Sequence, residues 1–227
     1  MNLLKYLQEQ GIDSRKGCQW LIRHDCVRIN GELANDEKMP IVPEQVHSLH
    51  IDDEEAVVIP LPHYYILLNK PADYETSHKP RDYPSVFSLF PDQLRVGNLQ
   101  AIGRLDADTT GVLLLTNDGQ FNHRMTSPKH KVAKVYRVTL KHAADETLCA
   151  ALKNGVLLHD ENETVVAENA ILHDPHTLIL TLCEGKYHQV KRMVAAAGNR
   201  VAALHRERFG DWDTQDLAAG EWRFIQP

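Results

Sequence analysis

Two prolines set two residues apart, in Ile59-Pro60-Leu61-Pro62, divide this chain of 227 residues before any other feature does. Each removes a backbone donor and fixes φ at about −65°, so the segment favours extended chain and cannot continue a helix or a central strand. It reads as a linker and predicts domains at 1–60 and 61–227. On its N-terminal side the pattern is helix, helix, hairpin, strand. Leu3, Leu4 and Leu7 share one helical face, and Ser14 suits an N-cap ahead of apolar Cys18, Trp20, Leu21 and Ile22. Asn30-Gly31, flanked by Val27, Ile29 and Leu33, is a strong hairpin signal. A further strand is expected over 46–51.

Beyond the prolines the rhythm changes. Strand patterns fall at 64–68, 111–116, 132–140, 165–172, 177–182 and 201–206, and helical ones at 85–90, 120–126, 143–154 and 187–197. The last helix places Tyr187, Val190, Met193, Val194 and Ala197 at helical spacing, with Gly198 at the left-handed position that follows. Strands predominate and do not alternate regularly with helices. The expected class is therefore α+β: a small helix-helix-hairpin domain, then a domain built on a mixed, mainly antiparallel sheet, not a doubly wound nucleotide fold.

Several chemistries are absent from the pattern. No Gly-x-x-x-x-Gly-Lys or Gly-x-Gly-x-x-Gly is present, so no nucleotide cofactor is indicated. Cys18, Cys26, Cys149 and Cys183 form no Cys-x-x-Cys pair, and the 13 histidines include no His-Glu-x-x-His frame, so no metal is expected. No apolar run approaches the roughly 20 residues of a membrane span, and Met1–Gln10 is not leader-like, so the expected location is the cytoplasm.

The formal charge of −6 argues mildly against a nucleic-acid partner until its distribution is read. Residues 32–60 hold Lys38 alone against eight acids. Residues 123–141 hold six lysines and arginines and no acid, and 186–208 hold six against Glu207. Residues 1–31 are also basic on balance, through Lys5, Arg15, Lys16, Arg23 and Arg28. Basic blocks inside an acidic chain suggest a concentrated anion-binding surface; solvated faces paired elsewhere are the alternative.

The most specific stretch is Gly103-Arg104-Leu105-Asp106-Ala107-Asp108-Thr109-Thr110-Gly111, a polar, glycine-bounded loop feeding the apolar run Val112–Leu115. Such a loop can hold a rigid carboxylate. Read alone, it also fits a turn in which Asp106 or Asp108 caps backbone donors, or an Asp dyad. In its wording, however, it resembles the signature of the RsuA/Rlu group of pseudouridine synthases. Lys134-Val135-Tyr136 resembles that group's second motif, and Glu184-Gly185-Lys186-Tyr187-His188-Gln189-Val190-Lys191-Arg192-Met193 its third, in the same order and spacing. The third motif and His205-Arg206-Glu207-Arg208 look most like the small-subunit rRNA branch. Residues 1–60 look like the S-four-type RNA-binding domain that this branch carries, although Leu3-Leu4-Lys5 stands where the family usually reads Arg-Leu-Asp-Lys.

The resemblance implies an isomerase that converts a specific uridine in ribosomal RNA, of the small subunit (16S), to pseudouridine by base flipping. Large-subunit (23S) rRNA is the alternative substrate, and a non-catalytic RNA-binding assembly protein a second one. It implies no cofactor, because the reaction has no redox change and no group donor. Asp106 would be the essential carboxylate, Lys191 its cationic partner with Arg192 next in line, and Tyr136 the ring beside the flipped base. Arg104, His188, Gln189, Arg192 and Lys134 would contact RNA in the catalytic domain, and Arg15, Lys16, Arg23 and Arg28 in the N-terminal one. The partner is ribosomal RNA, free or within an assembling small-subunit particle, and a monomer is expected.

Overall fold

The computed structural model describes residues 1–95, 97–158, 162–214 and 216–227. They form two compact units, Met1–Tyr64 with Phe90–Leu99, and Tyr65–Leu89 with Gln100–Pro227.

In the first unit, α1 (Leu3–Glu9) is capped by Asn2, whose side chain accepts the Lys5 N–H, and α2 (Arg15–Arg23) by Ser14, whose hydroxyl accepts the Gly17 N–H. Strands β1 (Val27–Ile29) and β2 (Glu32–Leu33) are joined by Asn30-Gly31 at φ +52° and +83°, the left-handed pair that a tight hairpin turn demands. With β3 (Leu49–Ile51) and β4 (Glu54–Ala56) the sheet runs β2-β1-β3-β4. Leu3, Leu7, Cys18, Ile22, Val27 and Leu49 form its core. The strand expected over 46–51 is shorter, because Pro43–Gln45 make a 3-10 turn just before it. Trp20 leaves the apolar set: it is exposed and stacks on His24, with ring centroids 4.2 Å apart.

The proline segment is pinned to this unit. The buried Gln10 amide accepts the Ile59 N–H (2.7 Å) and donates to the Ile59 carbonyl (2.8 Å). The unit also takes in α3 (Asp92–Arg95), where the Gln93 amide bonds both backbone groups of Val57 and the Gln10 carbonyl. The chain thus leaves the unit after Tyr64 and returns to it at Phe90, a return the linker reading does not contain.

The second unit follows β5 (Tyr65–Lys70), β6 (Gln100–Ile102), β7 (Thr110–Thr116), α4 (Gly119–Thr126), β8 (Lys134–Leu140), α5 (Glu146–Asn154), β9 (Val156–Leu158), β10 (Glu163–Val165), β11 (Asn169–Asp174), β12 (Thr177–Leu182), α6 (Gln189–Ala196), β13 (Val201–Phe209), β14 (Trp212–Asp213) and β15 (Trp222–Ile225). Its main sheet runs β11-β12-β8-β13-β7-β5-β15, with β6 on β7 and β14 on β13. The pairing is antiparallel throughout except between β13 and β7, which makes it the mixed, mainly antiparallel sheet expected of an α+β fold. Val112–Leu115 lie buried in the middle of β7, as a strand covered on both faces requires. At Gly111 the backbone has φ +100°, and a β-carbon would meet the Arg206 carbonyl oxygen at 2.2 Å. Only glycine lets β7 and β13 meet there.

Three expected elements differ. The helix over 85–90 is a 3-10 turn, Val86–Leu89. The strand over 165–172 is two strands, β10 and β11. Helix α6 begins at Gln189 because His188 takes a left-handed φ of +47°. Tyr187 consequently stands before the helix and 65% exposed instead of packing on its apolar face.

Candidate active site

The loop between β6 and β7 carries Asp106, and it is held from below by the segment that follows β5. Lys70 is fully buried, and its ammonium donates to the carbonyls of Pro71 (2.9 Å), Ala107 (3.0 Å) and Thr109 (2.8 Å). The Asp73 N–H bonds the Ala107 carbonyl at 2.9 Å. The Thr76 hydroxyl donates to the Leu105 carbonyl (2.9 Å) and accepts the Leu105 N–H (3.3 Å). Arg104, Leu105 and Asp106 all line one cleft, with Leu105 buried in its wall. Burial pushes the Lys70 amine down to about 8, against the opposing pull of Asp108, Asp106 and Asp73.

Helix α6 supplies the opposing cation. The Lys191 ammonium lies 3.0 Å from Asp106 Oδ2 and meets both oxygens of Asp108, at 2.7 and 2.9 Å. His188 Nε2 lies 3.3 Å from Asp106 Oδ1. Partial burial acts to lower the Lys191 amine, but the two carboxylates outweigh it and hold it above its ordinary value. Burial likewise acts to raise the Asp108 carboxyl, and the hydrogen bond and charge of Lys191 hold it below. Lys191 thus straddles the two carboxyl groups, a single ammonium bridging Asp106 and Asp108.

The cleft, about 140 Å³, is completed by residues of β8, β12 and β13. Tyr136 lines it and is buried. Lys134 donates to the Val132 carbonyl at 3.2 Å and sits 5.1 Å from the centre of the Phe209 ring. Burial first, and then Arg206, lowers its amine. Arg206 is 2% exposed, donates from Nε to the Val112 carbonyl (2.7 Å) and lies 4.9 Å from the centre of the same ring. Its Nη2 and the Gln189 Nε2 are buried without a hydrogen-bond partner among the described residues.

A rigid carboxylate beside an aromatic ring, ringed by cations, fits an ionised group acting on a flat, polar substrate. The comparisons give this geometry a family. The model of RNA pseudouridylate synthase matches residues 64–196, which span all the cleft elements named except β13, and the S4 domain model matches 1–47. This chain belongs to the RNA pseudouridylate synthase family. A ribosomal small subunit pseudouridine synthase A from Haemophilus influenzae is 40% identical over 98% of the chain and 95% of its own length. One from Escherichia coli K12 is 39% identical over the same shares. A crystal structure of a pseudouridylate synthase, 38% identical, superposes over 100% of this chain and 96% of its own with a TM-score of 0.69.

In this pseudouridylate synthase the residues named from sequence fall into three groups. Asp106, Tyr136, Lys191, Arg104, His188, Gln189 and Lys134 all line the cleft. Arg192 instead donates to the Tyr187 carbonyl at 2.9 Å, so of the two neighbouring cations Lys191 is the one that meets the carboxylates. Arg15, Lys16, Arg23 and Arg28 belong to the first unit, where Arg23 pairs with Glu37 (2.8 Å) and Arg28 with Asp53 (3.7 Å).

Sequence reading passed over Lys70, Thr76 and the pairing of Asp108. Lys70 had a signal: a lysine ending the apolar run 66–68 and followed by Pro71 sits where a sheet has no water to offer it. Thr76 and Asp108 had none, since each acts through contacts far apart in sequence.

Proposed function

We propose that the chain isomerises a uridine of small-subunit ribosomal RNA to pseudouridine, with Asp106 as the essential carboxylate. The observation that carries this reading is the Lys191 clamp across Asp106 and Asp108 beside the Tyr136 ring. It sets a cation 3.0 Å from Asp106 and holds that carboxyl group in place, as each way of using it requires, whether it attacks the ring, attacks the ribose or removes a ribose proton. The relatives named for small-subunit activity match nearly the whole chain, the N-terminal unit included, and support that substrate over the large subunit.

The target base must leave its stack to reach a cleft this enclosed, at a cost of a few kcal/mol. Arg104 at the cleft edge fills the vacated space or holds a phosphate. Tyr136 offers a face to the flipped uracil and a phenol near its carbon 5. Lys134, His188, Gln189 and Arg192 steady the strand around it. Arg15, Lys16, Arg23 and Arg28 of the S4 domain add phosphate contacts that offset the extrusion. The enzyme works as a monomer in the cytoplasm, on small-subunit RNA either free or within an assembling small-subunit particle. Among the described residues, no helix is long and apolar enough to cross a membrane. The test is incubation with small- and large-subunit rRNA, each both purified and in assembling particles, followed by mapping of pseudouridine. One new site in the small-subunit RNA is the expected result. A site in the large-subunit RNA alone would reassign the substrate, and none in either would refute the reading.

A further inference from the structure

Beside the cleft runs an open groove of about 700 Å³, shared between the loop after β5, the Asp106 loop and the turn before α6. The loop after β5 is rigidly built. The Glu75 carboxylate accepts the backbone N–H groups of Arg81 (3.1 Å), Asp82 (2.7 Å) and Tyr83 (3.0 Å), and these bonds hold it below the ordinary carboxylate range. The Glu75 N–H bonds the Pro84 carbonyl, and its own carbonyl accepts the Val86 N–H, each at 2.9 Å. Ser85 donates to the Ser77 carbonyl at 2.6 Å, and His78 stacks on Phe87 at 3.7 Å. A closed loop of this kind fixes what it displays, and it displays Tyr83, 44% exposed, with Lys79 and Arg81.

The facing wall ends in a second exposed ring. Tyr187, 65% exposed, stacks on His188 with centroids 3.7 Å apart and planes 21° from parallel. His188 in turn reaches Asp106, so the stack starts at the carboxylate and runs outward into the groove. Its backbone is fixed as well: the Tyr187 carbonyl accepts from Arg192. One exposed ring would need no explanation, but two lining the same groove form a patch, which is informative. Here they share a groove with Lys79, Arg81 and Arg104; of its acids, Glu75 is taken up by backbone N–H groups and Asp106 by Lys191, which leaves Asp82, while Lys186 pairs with Glu163. Cations tracking a backbone, interleaved with free ring faces, are the chemistry of a single-stranded nucleic-acid track.

We propose that this groove binds the single-stranded nucleotides flanking the target, with Tyr187 and Tyr83 as stacking platforms for their bases. The proposal rests on the reading of the chain as an RNA isomerase and adds to it which surface takes the neighbouring nucleotides. Stacking is indifferent to which base is offered, so the platforms would hold the strand open beside the flipped uridine while sequence is read elsewhere.

The probe is a short oligocytidylate, which offers no uridine to isomerise, set against the matching abasic ribose-phosphate strand. Wild type should bind the cytidylate at least about 5-fold more tightly than the abasic strand, since each stacked base is worth about 5- to 150-fold. Tyr187→Ala should abolish most of that preference while leaving abasic affinity within about twofold, and Tyr187→Phe should retain it. Tyr83→Ala should lower it by a smaller factor, because its ring is less exposed. An equal loss on both strands, or no loss on either, would overturn the proposal and leave the groove to a protein partner. Pseudouridine formation on rRNA, measured with the same preparations, separates the two readings. Activity with no base preference sinks the track alone, whereas inactivity of wild type on rRNA sinks the function it rests on.

Discussion

The buried cations of the second unit, Lys70, Lys134 and Arg206, are held by backbone carbonyls and the face of Phe209, whereas the partly exposed Lys191 and His188 face carboxylates directly. Burying a charge without a counter-ion is costly. The three deep cations are therefore retained for where they sit: Lys70 ties the Asp106 loop to β5, and Lys134 and Arg206 give the cleft a positive lining that a polar, electron-rich base would meet. Of the outer pair, Lys191 bridges both carboxylates and lowers the Asp108 carboxyl, while His188 reaches Asp106 alone. The difference teaches that removing an inner cation should first damage geometry and stability, and removing an outer charge should first damage chemistry.

The sharpest way to break this comparison is Asp106→Asn, which keeps size and removes charge. Single-turnover pseudouridine formation should fall by at least about three orders of magnitude, roughly 4 kcal/mol, with the melting temperature little changed because Lys191 retains Asp108. Near-normal turnover would end the assignment. Lys70→Met should do the reverse. It orphans three carbonyls, so denaturant unfolding should report a loss of about 3 kcal/mol.

The pH dependence of stability sharpens the same point. With the Lys70 amine at about 8 in the folded chain and its ordinary value near 10.4 in the unfolded one, the unfolded state binds more protons between those values. Stability from this group should rise as pH climbs through that window, and the rise should be missing in Lys70→Met. Asp108→Asn leaves Lys191 one carboxylate instead of two, and turnover should drop by about tenfold or less. A loss equal to that of Asp106→Asn would make the pair a true dyad. Smallest of all, Arg15→Gln with Lys16→Gln should make the log–log salt dependence of RNA binding shallower by about 1.5 to 2, if both meet helical phosphates. Arg23 and Arg28 already face Glu37 and Asp53, so neutralising them should add less.

Much of this was legible in the residues, for identifiable reasons. The Asn30-Gly31 turn, the Ser14 cap and the β7 run are local, and local rules read them. The carboxylate loop and the motif carrying Lys191 were legible through resemblance, since no local rule brings residues 106 and 191 together. What escaped depended on distant partners or on a single dihedral. Tyr187 fits the apolar face of a helix by spacing, and only the left-handed turn at His188 removes it from that face. Trp20 fits an apolar face equally well but stacks outward on His24. Lys134 and Arg206 look like solvated charges until β8, β12 and β13 enclose them.

The return of Phe90–Leu99 to the first unit has a consequence for synthesis. Phe90, Leu94 and Leu99 are buried there, and Gln93 satisfies backbone groups at Gln10 and Val57. A nascent chain that ended at the prolines would hold the S4 domain, residues 1–47, without the 90–99 segment of its unit. The Leu3–Leu49 core can form first, but the bonds from Gln93 to Gln10 and Val57 are made only once residue 93 has left the ribosome exit tunnel, by which time β5, the strand carrying Lys70, has been synthesised as well. Completion of this unit, though not of its core, thus waits on the synthesis of the first strand of the second unit.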